Sequence, residues 1–565
     1  MSSRFSGAVG IDQYVQQIPL LSLIVLPLIS AIFGLKYVNL KSVLHFQQGT
    51  LGTSPWRAAV TMTFLSVPVF FVWCLCQPGP STMFFQVGAS LSLLITTLTS
   101  SPILHYLPST CISTYYQLRF LSTSLRSLIT LTQCILLATV SVIILSLSAS
   151  FITAITSLSV YLILPLVAYF TLFAVIFSGH SSMMNFNFLL YIFVSLSGIG
   201  LFLYYAVQDI QSFGTLVPIN KFRISDILSS FMIGFTVNFY LLNSNFMYQI
   251  YSPMPTMHKL RLTLTLYGVF QLFVSLFIFL FATIFLNLLH EHCKFPMSFG
   301  SFFQFSKAIL SNRYQAVIVC VSMLTILSIS LQWCLVSLIT LIWEEYLTRR
   351  LRSWNPIQQL CSLQFAMLIL TTAIVVVAVA ANLARIPIGL QLPTIVYVIF
   401  SIFSILAGVS ICGYYLPFCS ATGTISSLLI TTLLTILNLT IYLLNNSPAK
   451  FQNSCILEDA VGNGTVVSRS LSMDKVVYFV SHLPPQSQPI ISLIIFITLC
   501  AFISFLMGGQ DQMGLDWNLI AFTWATSVRS PSSFSKPQFA DTDSFRYAQQ
   551  QNSNPTPSPD VNAFR

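Results

Sequence analysis

Apolar residues in this chain come in long, nearly unbroken blocks rather than in the alternating or three-to-four-residue spacing of elements that are half buried in a soluble core. The blocks run at about 18–35, 57–76, 83–105, 126–149, 151–178, 186–208, 226–250, 262–290, 314–344, 360–384, 389–417, 424–445 and 488–508. Each is long enough to cross the hydrocarbon of a bilayer as a helix, which takes about 20 residues. The pattern predicts about 13 transmembrane helices in an all-α bundle spanning 17–508. A short polar lead, 1–16, precedes them, and a polar segment, 446–487, separates the last two. The tail, 509–565, is rich in Ser, Pro, Gln and Asn from about 529 onward and reads as disordered. The first block, Ile18 to Leu35, lacks a basic leader and a small-residue cleavage site, so it reads as a retained helix.

Polar positions inside the blocks are few and patterned. In the ninth block Ser322, Thr325, Ser328 and Gln332 fall within an arc of roughly 120° on one helical face. The block ends in a charged collar, Glu344, Glu345, Arg349, Arg350 and Arg352. Such a stripe faces a bundle interior, because lipid cannot satisfy it. Two readings stand side by side: hydroxyl packing between helices, or the wall of a solute or ion path. Two other blocks carry helix breakers. Pro68 lies in the middle of the second block, with Pro78 and Pro80 at its end. The seventh carries Gly234, Asn238, Asn243, Ser244 and Asn245. The two are five blocks apart, which fits inverted repeats at about 57–208 and 226–417 with a binding site where both helices are interrupted. Ordinary kinks are the competing reading.

Composition agrees. Hydrophobic residues make up 55% of the 565 and charged ones only 7%, against about 25% charged in a soluble domain. The formal net charge of +10 comes from basic residues scattered at block ends, which sets topology rather than marking a nucleic-acid partner. With the N-terminus outside, 14 of the 24 Lys and Arg residues fall on the inner side, so the N-terminus is expected outside and the C-terminus inside. The 446–487 segment is then external. It carries the sequon Asn463-Gly464-Thr465, a glycosylation acceptor in that setting. Cys293 and Cys455 fall on the same side, where they either bridge or stay free. Most of the 12 cysteines sit inside apolar blocks, and no CxxC pair has metal spacing. No Asp, Glu, Lys or Arg occupies the middle of a block, which argues against the ionisable relays of proton-pumping subunits. No Ser or His has a paired base, so enzyme chemistry has no support, and no cofactor is implied.

Several segments resemble the solute:sodium symporters. Thr114-Tyr115-Tyr116-Gln117-Leu118-Arg119-Phe120 is similar to that family's tyrosine-to-Arg-Phe segment before the fourth span. Ser322 to Arg350 is similar to its hydroxyl-rich ninth span, with Leu331-Gln332 where the family has Leu-Asn and Glu345-Tyr346 near the end. Tyr415-Leu416-Pro417-Phe418 followed by Gly423 resembles its proline-then-glycine turn, and Asn243 to Gln249 its ending of the seventh span. His290-Glu291-His292-Cys293 and the single helix after the sequon loop look most like the branch that carries monocarboxylates, vitamins and iodide.

The resemblance implies a LeuT-type 5+5 inverted repeat and a plasma-membrane secondary transporter. It would carry a small organic solute, a monocarboxylate or vitamin-like anion, by sodium-coupled symport. The sodium site would use carbonyls of Ser66 and Val69 and hydroxyls of Ser322 and Thr325. Phe70, Trp73, Asn238, Tyr240 and Asn243 would line the solute. Three departures stand out: Ile326 occupies a position where the family has a second hydroxyl, Asn187 one where it has an acid, and Gln249 one where it has an Arg. They favour the alternative of a sodium-independent or non-transporting sensor or scaffold with a degraded ion site. A structural subunit of a respiratory complex is a third, weaker rival.

Overall fold

The computed structural model describes residues 54–76, 82–107, 111–156, 158–208, 224–291, 313–351, 353–383, 388–445, 487–510 and 519–521, with 43–48 and most positions of 18–32. The described residues are helical and contain no strand. The helices are α1 Pro55–Cys76, α2 Thr82–Ile95, α3 Ser113–Phe120, α4 Thr123–Thr156, α5 Val160–Gln208, α6 Ile224–Leu242, α7 Asn245–Tyr251, α8 Met257–Glu291, α9 Arg313–Ile342, α10 Pro356–Leu383, α11 Ile388–Tyr415, α12 Ala421–Asn445 and α13 Gln488–Leu506. A wider turn, Thr96–Ser100, carries α2 on into Ser101–Tyr106, and another, Trp343–Leu347, ends α9. A separate turn of helix, Val43–Gln48, precedes α1. Ten described helical stretches are long and apolar enough to cross a membrane, two of them within α5 (Val160–His180 and Ser182–Gly200), and α6 with α7 forms one more, bent, candidate. This is an all-α polytopic membrane protein.

Every apolar block coincides with helix. Helical positions between Ile18 and Ile32 match the first, and α8 matches the eighth. The boundary between the fourth and fifth blocks lies beyond the expected 150, because α4 continues through Ser150 to Thr156 and α5 starts at Val160. The fifth and sixth blocks are joined at Gly179, whose φ of 61° and ψ of 176° lie outside the reach of a residue with a side chain. Asn463, Cys293 and Cys455 lie outside the described residues, as do 446–486 and most of the tail.

Burial sorts the helices into an inner and an outer set. In α9 and α1, 89% and 78% of the most apolar stretch is enclosed by protein, against 33% in α10, α12 and α13. The inner helices therefore meet other helices on all sides. The tightest approach is between α2 and α6. A Cβ on Gly88 would overlap the Phe231 carbonyl, and one on Gly234 would overlap the Phe85 carbonyl. The two glycines let the backbones touch, as small residues do between membrane helices. Asn238 pins the same contact: its Nδ2 donates to the Ala89 carbonyl (2.8 Å) and to Ser92 Oγ (2.9 Å), and its Oδ1 accepts from the Tyr267 hydroxyl (2.9 Å).

The two helices expected to be interrupted behave differently. The α6–α7 pair bends by 56° at Asn243–Ser244. Asn243 Nδ2 donates to the Phe239 carbonyl at 2.8 Å, and Ser244 takes an extended backbone, φ −95° and ψ 158°. Short polar side chains here compete with the helical ladder and end it. In contrast, α1 runs unbroken from Pro55 to Cys76 through Pro68. The expectation that Pro68 interrupts the second span is corrected: the helix continues through the proline, and a serine of α9 shares its hydroxyl between its own helix and the carbonyl left without a helical donor.

Candidate solute cavity and ion position

Pro68 has no N–H, so the Phe64 carbonyl one turn earlier has no helical donor. Ser330 of α9 stands beside it. Its hydroxyl lies 3.0 Å from the Ile326 carbonyl of its own helix and 3.4 Å from the Phe64 carbonyl. The proline is thereby accommodated inside a continuous helix, with α1 and α9 joined at the membrane-buried level.

Beside this joint lies a cavity of about 130 Å3. It is lined by α1 (Pro68, Val69, Val72), α4 (Leu136 to Leu147), the bend of α6 and α7 (Tyr240, Ser244, Phe246), α9 (Ile326, Ser330, Cys334) and α11 (Phe400, Phe403). The lining is almost wholly apolar, with the Tyr240, Ser244 and Ser330 hydroxyls and the Cys334 thiol as its polar side-chain groups, and it contains no charged side chain. The Tyr240 ring stacks on Phe403 with centroids 4.8 Å apart. Such a pocket accepts apolar or aromatic surface and offers a few hydroxyls for orientation.

Of the five residues expected to line a solute, Tyr240 lines this cavity. Phe70 and Trp73 are buried instead in an aromatic cluster behind it, both against Phe85 at 5.7 Å, with Trp73 also 5.9 Å from Phe400. Asn238 is consumed by the α2–α6–Tyr267 clamp. Asn243 spends its Nδ2 on Phe239 and accepts the Tyr414 hydroxyl at its Oδ1 (3.0 Å).

The four residues expected to hold sodium lie on α1 and α9, and their hydroxyls act as hydrogen-bond donors or pair with another hydroxyl. Ser66 and Val69 lie within the unbroken α1, where backbone carbonyls belong to the ladder. The Ser66 hydroxyl donates to the Thr63 carbonyl (2.9 Å) and the Thr325 hydroxyl to the Val321 carbonyl (2.7 Å). Ser322 pairs with Ser197 of α5 at 2.9 Å. Val69 and Ile326 line the cavity with hydrocarbon. A hard cation needs several oxygens turned toward it, and the Val69 and Ile326 side chains bring none.

Asn187 and Gln249 are fully buried, and none of their side-chain nitrogens and oxygens has a hydrogen-bond partner among the described residues. The same holds for both ring nitrogens of His180 and for the Trp333 indole N–H, whose rings meet edge-on at 5.0 Å.

At one end of the bundle, α3 is locked by Arg119. Its Nε donates to the Gly413 carbonyl (2.9 Å), Nη2 to the Leu416 carbonyl (2.9 Å) and Nη1 to Gln510 Oε1 (2.5 Å). Burial lowers the pKa of this guanidinium. Burial also pushes the Tyr116 phenol up to about 12, against the opposing pull of its hydrogen bond with Ser410.

Sequence reasoning missed Ser330, Cys334 and the α11 phenylalanines, and named Ser244 only as part of the break. The one available signal was Pro68, which demands a donor for the Phe64 carbonyl without saying which helix brings it.

No protein-family model matches the sequence, and no curated protein matches it. Solved structures do. The chain is similar to a Na+-coupled sialic acid symporter solved in a substrate-bound, outward-open state, with a TM-score of 0.67 and 13% sequence identity, over 88% of this chain and 99% of that one. At that identity the likeness defines the fold. This chain is a polytopic helical membrane protein built on the scaffold of that symporter.

Proposed function

We propose that the chain is a secondary transporter that carries a small, mainly apolar or aromatic solute through the α1–α4–α6–α9–α11 cavity by alternating access, without sodium between α1 and α9. The observation that carries this reading is the cavity itself: apolar walls, a few hydroxyls and no charge, at the level of the α6–α7 bend. The shared scaffold supports the transporter class, since the neighbour of known structure is a symporter. Its cargo, sialic acid, is a hydroxyl-rich carboxylate. Placed here it would leave most of its polar groups unpaired, at roughly 1–3 kcal/mol each. A monocarboxylate or vitamin-like anion would meet the same difficulty, with hydroxyls alone to receive its charge. Sodium coupling loses support because Ile326 brings hydrocarbon where the ion would want an oxygen, and α1 is unbroken, with its carbonyls held in the ladder.

The test is uptake in cells expressing the chain, in sodium and in choline buffer, with radiolabelled apolar and aromatic solutes alongside monocarboxylates, vitamins, iodide and sugars. Saturable uptake of an apolar or aromatic solute, equal in both buffers and lost on Leu327→Trp, is expected. Uptake of a polar anion that vanishes in choline would overturn the proposal. A second reading, a sensor on the same scaffold, is favoured by the Ser330–Phe64 contact, which ties α1 to α9. Solute-dependent thermal stabilisation without uptake, in protein present at the cell surface, would select it.

A further inference from the structure

Three cysteines far apart in the chain meet at one point. Cys412 lies in the last turn of α11, Cys419 in the turn that leads to α12, and Cys500 in α13, beyond the 446–487 segment. All three are fully buried, and their Sγ atoms lie within 4.8 Å of one another. Sulfurs bound to a common metal ion at about 2.3 Å sit roughly 4 Å apart, so the thiols need only a sub-ångström contraction to share one.

Buried cysteines usually serve as small hydrophobes, but this surrounding is polar. Thr424 Oγ1 lies 3.5 Å from Cys500 Sγ. The Ser420 amide donates to Ser504 Oγ at 3.0 Å in the same joint. Arg119 is the second, independent feature. Its guanidinium is fully buried, and its hydrogen-bond partners are two carbonyls and an amide oxygen, with no carboxylate among the described residues. Those carbonyls belong to Gly413, next to Cys412, and to Leu416, three residues before Cys419. The cation is close enough to interact electrostatically with all three thiols. A buried charge needs a counter-charge. Three thiolates on a divalent ion carry a net charge of −1, which balances Arg119. A monovalent copper ion with three thiolates would leave an excess negative charge.

We propose that Cys412, Cys419 and Cys500 form a structural site for one thiophilic divalent cation of the zinc type, with Arg119 as its counter-ion. Binding converts three thiols to thiolates and releases three protons; no redox step is involved. A tetrahedral ion keeps a fourth position, which water or the Thr424 hydroxyl fills. The ion would staple α13 to the α11–α12 turn, adding to the Ser420–Ser504 hydrogen bond between elements that the 446–487 segment separates in sequence.

The experiment uses the full chain, purified in detergent under reducing conditions without chelator. Elemental analysis should give about one zinc per chain. Exchange with cobalt(II) should give a thiolate-to-cobalt charge-transfer band in the near ultraviolet. Cys412→Ser, Cys419→Ser and Cys500→Ser should each lower the bound metal by tenfold or more, while Cys361→Ser, on an exposed cysteine, leaves it unchanged. If a variant fails to fold, the metal content and cobalt spectrum of the unmodified chain still decide. A metal-free chain that gives no cobalt band overturns the proposal, as does metal retained in the triple serine variant. Peptides in which two of the three cysteines escape denaturing alkylation and remain joined to each other, marking a disulfide between them, also overturn it.

Discussion

The Ser330 hydroxyl of α9 lies 3.4 Å from the Phe64 carbonyl of α1, the acceptor that Pro68 deprives of its helical partner. Two consequences are testable together. Ser330→Ala leaves that buried carbonyl unsatisfied and should lower stability by about 1–2 kcal/mol. Pro68→Ala restores an N–H within the helix and removes the need for Ser330. In the Pro68→Ala background, Ser330→Ala should therefore cost little. Thermal unfolding of the four proteins in detergent gives the coupling directly. Additive effects would mean that the hydroxyl serves only its own Ile326 carbonyl.

The Gly88–Gly234 contact is a backbone-to-backbone approach, so no flexible side chain can move aside for a substituent. Gly88→Ala and Gly234→Ala should each force α2 and α6 apart and destabilise by about 1–3 kcal/mol or more. Gly198→Ala is the control, because nothing lies within 4 Å of a Cβ placed there. Fluorescence-detected size exclusion after a heating series would report the loss. Equal survival of all three variants would mean that the two helices can separate without cost.

The helices were legible because lipid leaves a chain few options: an apolar block of sufficient length must hydrogen-bond its own backbone. The Asn243-Ser244 break was legible for a similar reason, since polar side chains compete locally with the ladder. The site was not. The stripe Ser322–Thr325–Ser328–Gln332 left two readings open, hydroxyl packing or the wall of a path, and because α9 is enclosed on nearly all sides every face meets protein and the stripe does not choose between them. The serine that reaches α1 is Ser330, which lies off that stripe. Pro68 pointed to a broken helix, because sequence shows the missing donor but not the neighbour that replaces it. The Cys412–Cys419–Cys500 meeting was invisible because the helix pairing that creates it, α11 with α13, spans the longest interhelical segment.

Arg126 at the start of α4 pairs with Glu345 at the end of α9, Nε to Oε2 at 2.8 Å, with both side chains largely buried. Ser127 Oγ donates to Glu345 Oε1 at 2.6 Å, and Arg126 Nη1 to Gln117 Oε1 at 2.7 Å. Removing one partner strands a charge: Arg126→Gln should destabilise by about 3 kcal/mol. Removing both charges, Arg126→Gln with Glu345→Gln, should recover most of that loss. The double variant would then unfold at a higher temperature than Arg126→Gln alone. If it unfolds lower, the pair itself, rather than the avoidance of an unpaired carboxylate, holds α4 to α9.

Ile326 decides between two accounts of the ion position. If the chain holds a degraded sodium site, Ile326→Ser supplies the absent hydroxyl and uptake should become sodium-dependent. The geometry argues for a different result. Ile326 contributes hydrocarbon to the cavity wall, and a serine in its place would turn its hydroxyl onto the carbonyl of Ser322 one turn earlier, as Thr325 does with Val321 and Ser330 with Ile326. The backbone of α1 adds no oxygen there, because the helix is unbroken and its carbonyls belong to the ladder. Ile326→Ser should therefore weaken binding of an apolar solute by about tenfold, the cost of roughly 1–2 kcal/mol of lost apolar contact, and leave uptake equal in sodium and choline. Saturation curves for the transported solute in the two buffers separate the outcomes. A fall in affinity common to both supports the apolar cavity, whereas a half-maximal concentration that improves only in sodium would restore the ion to the α1–α9 position.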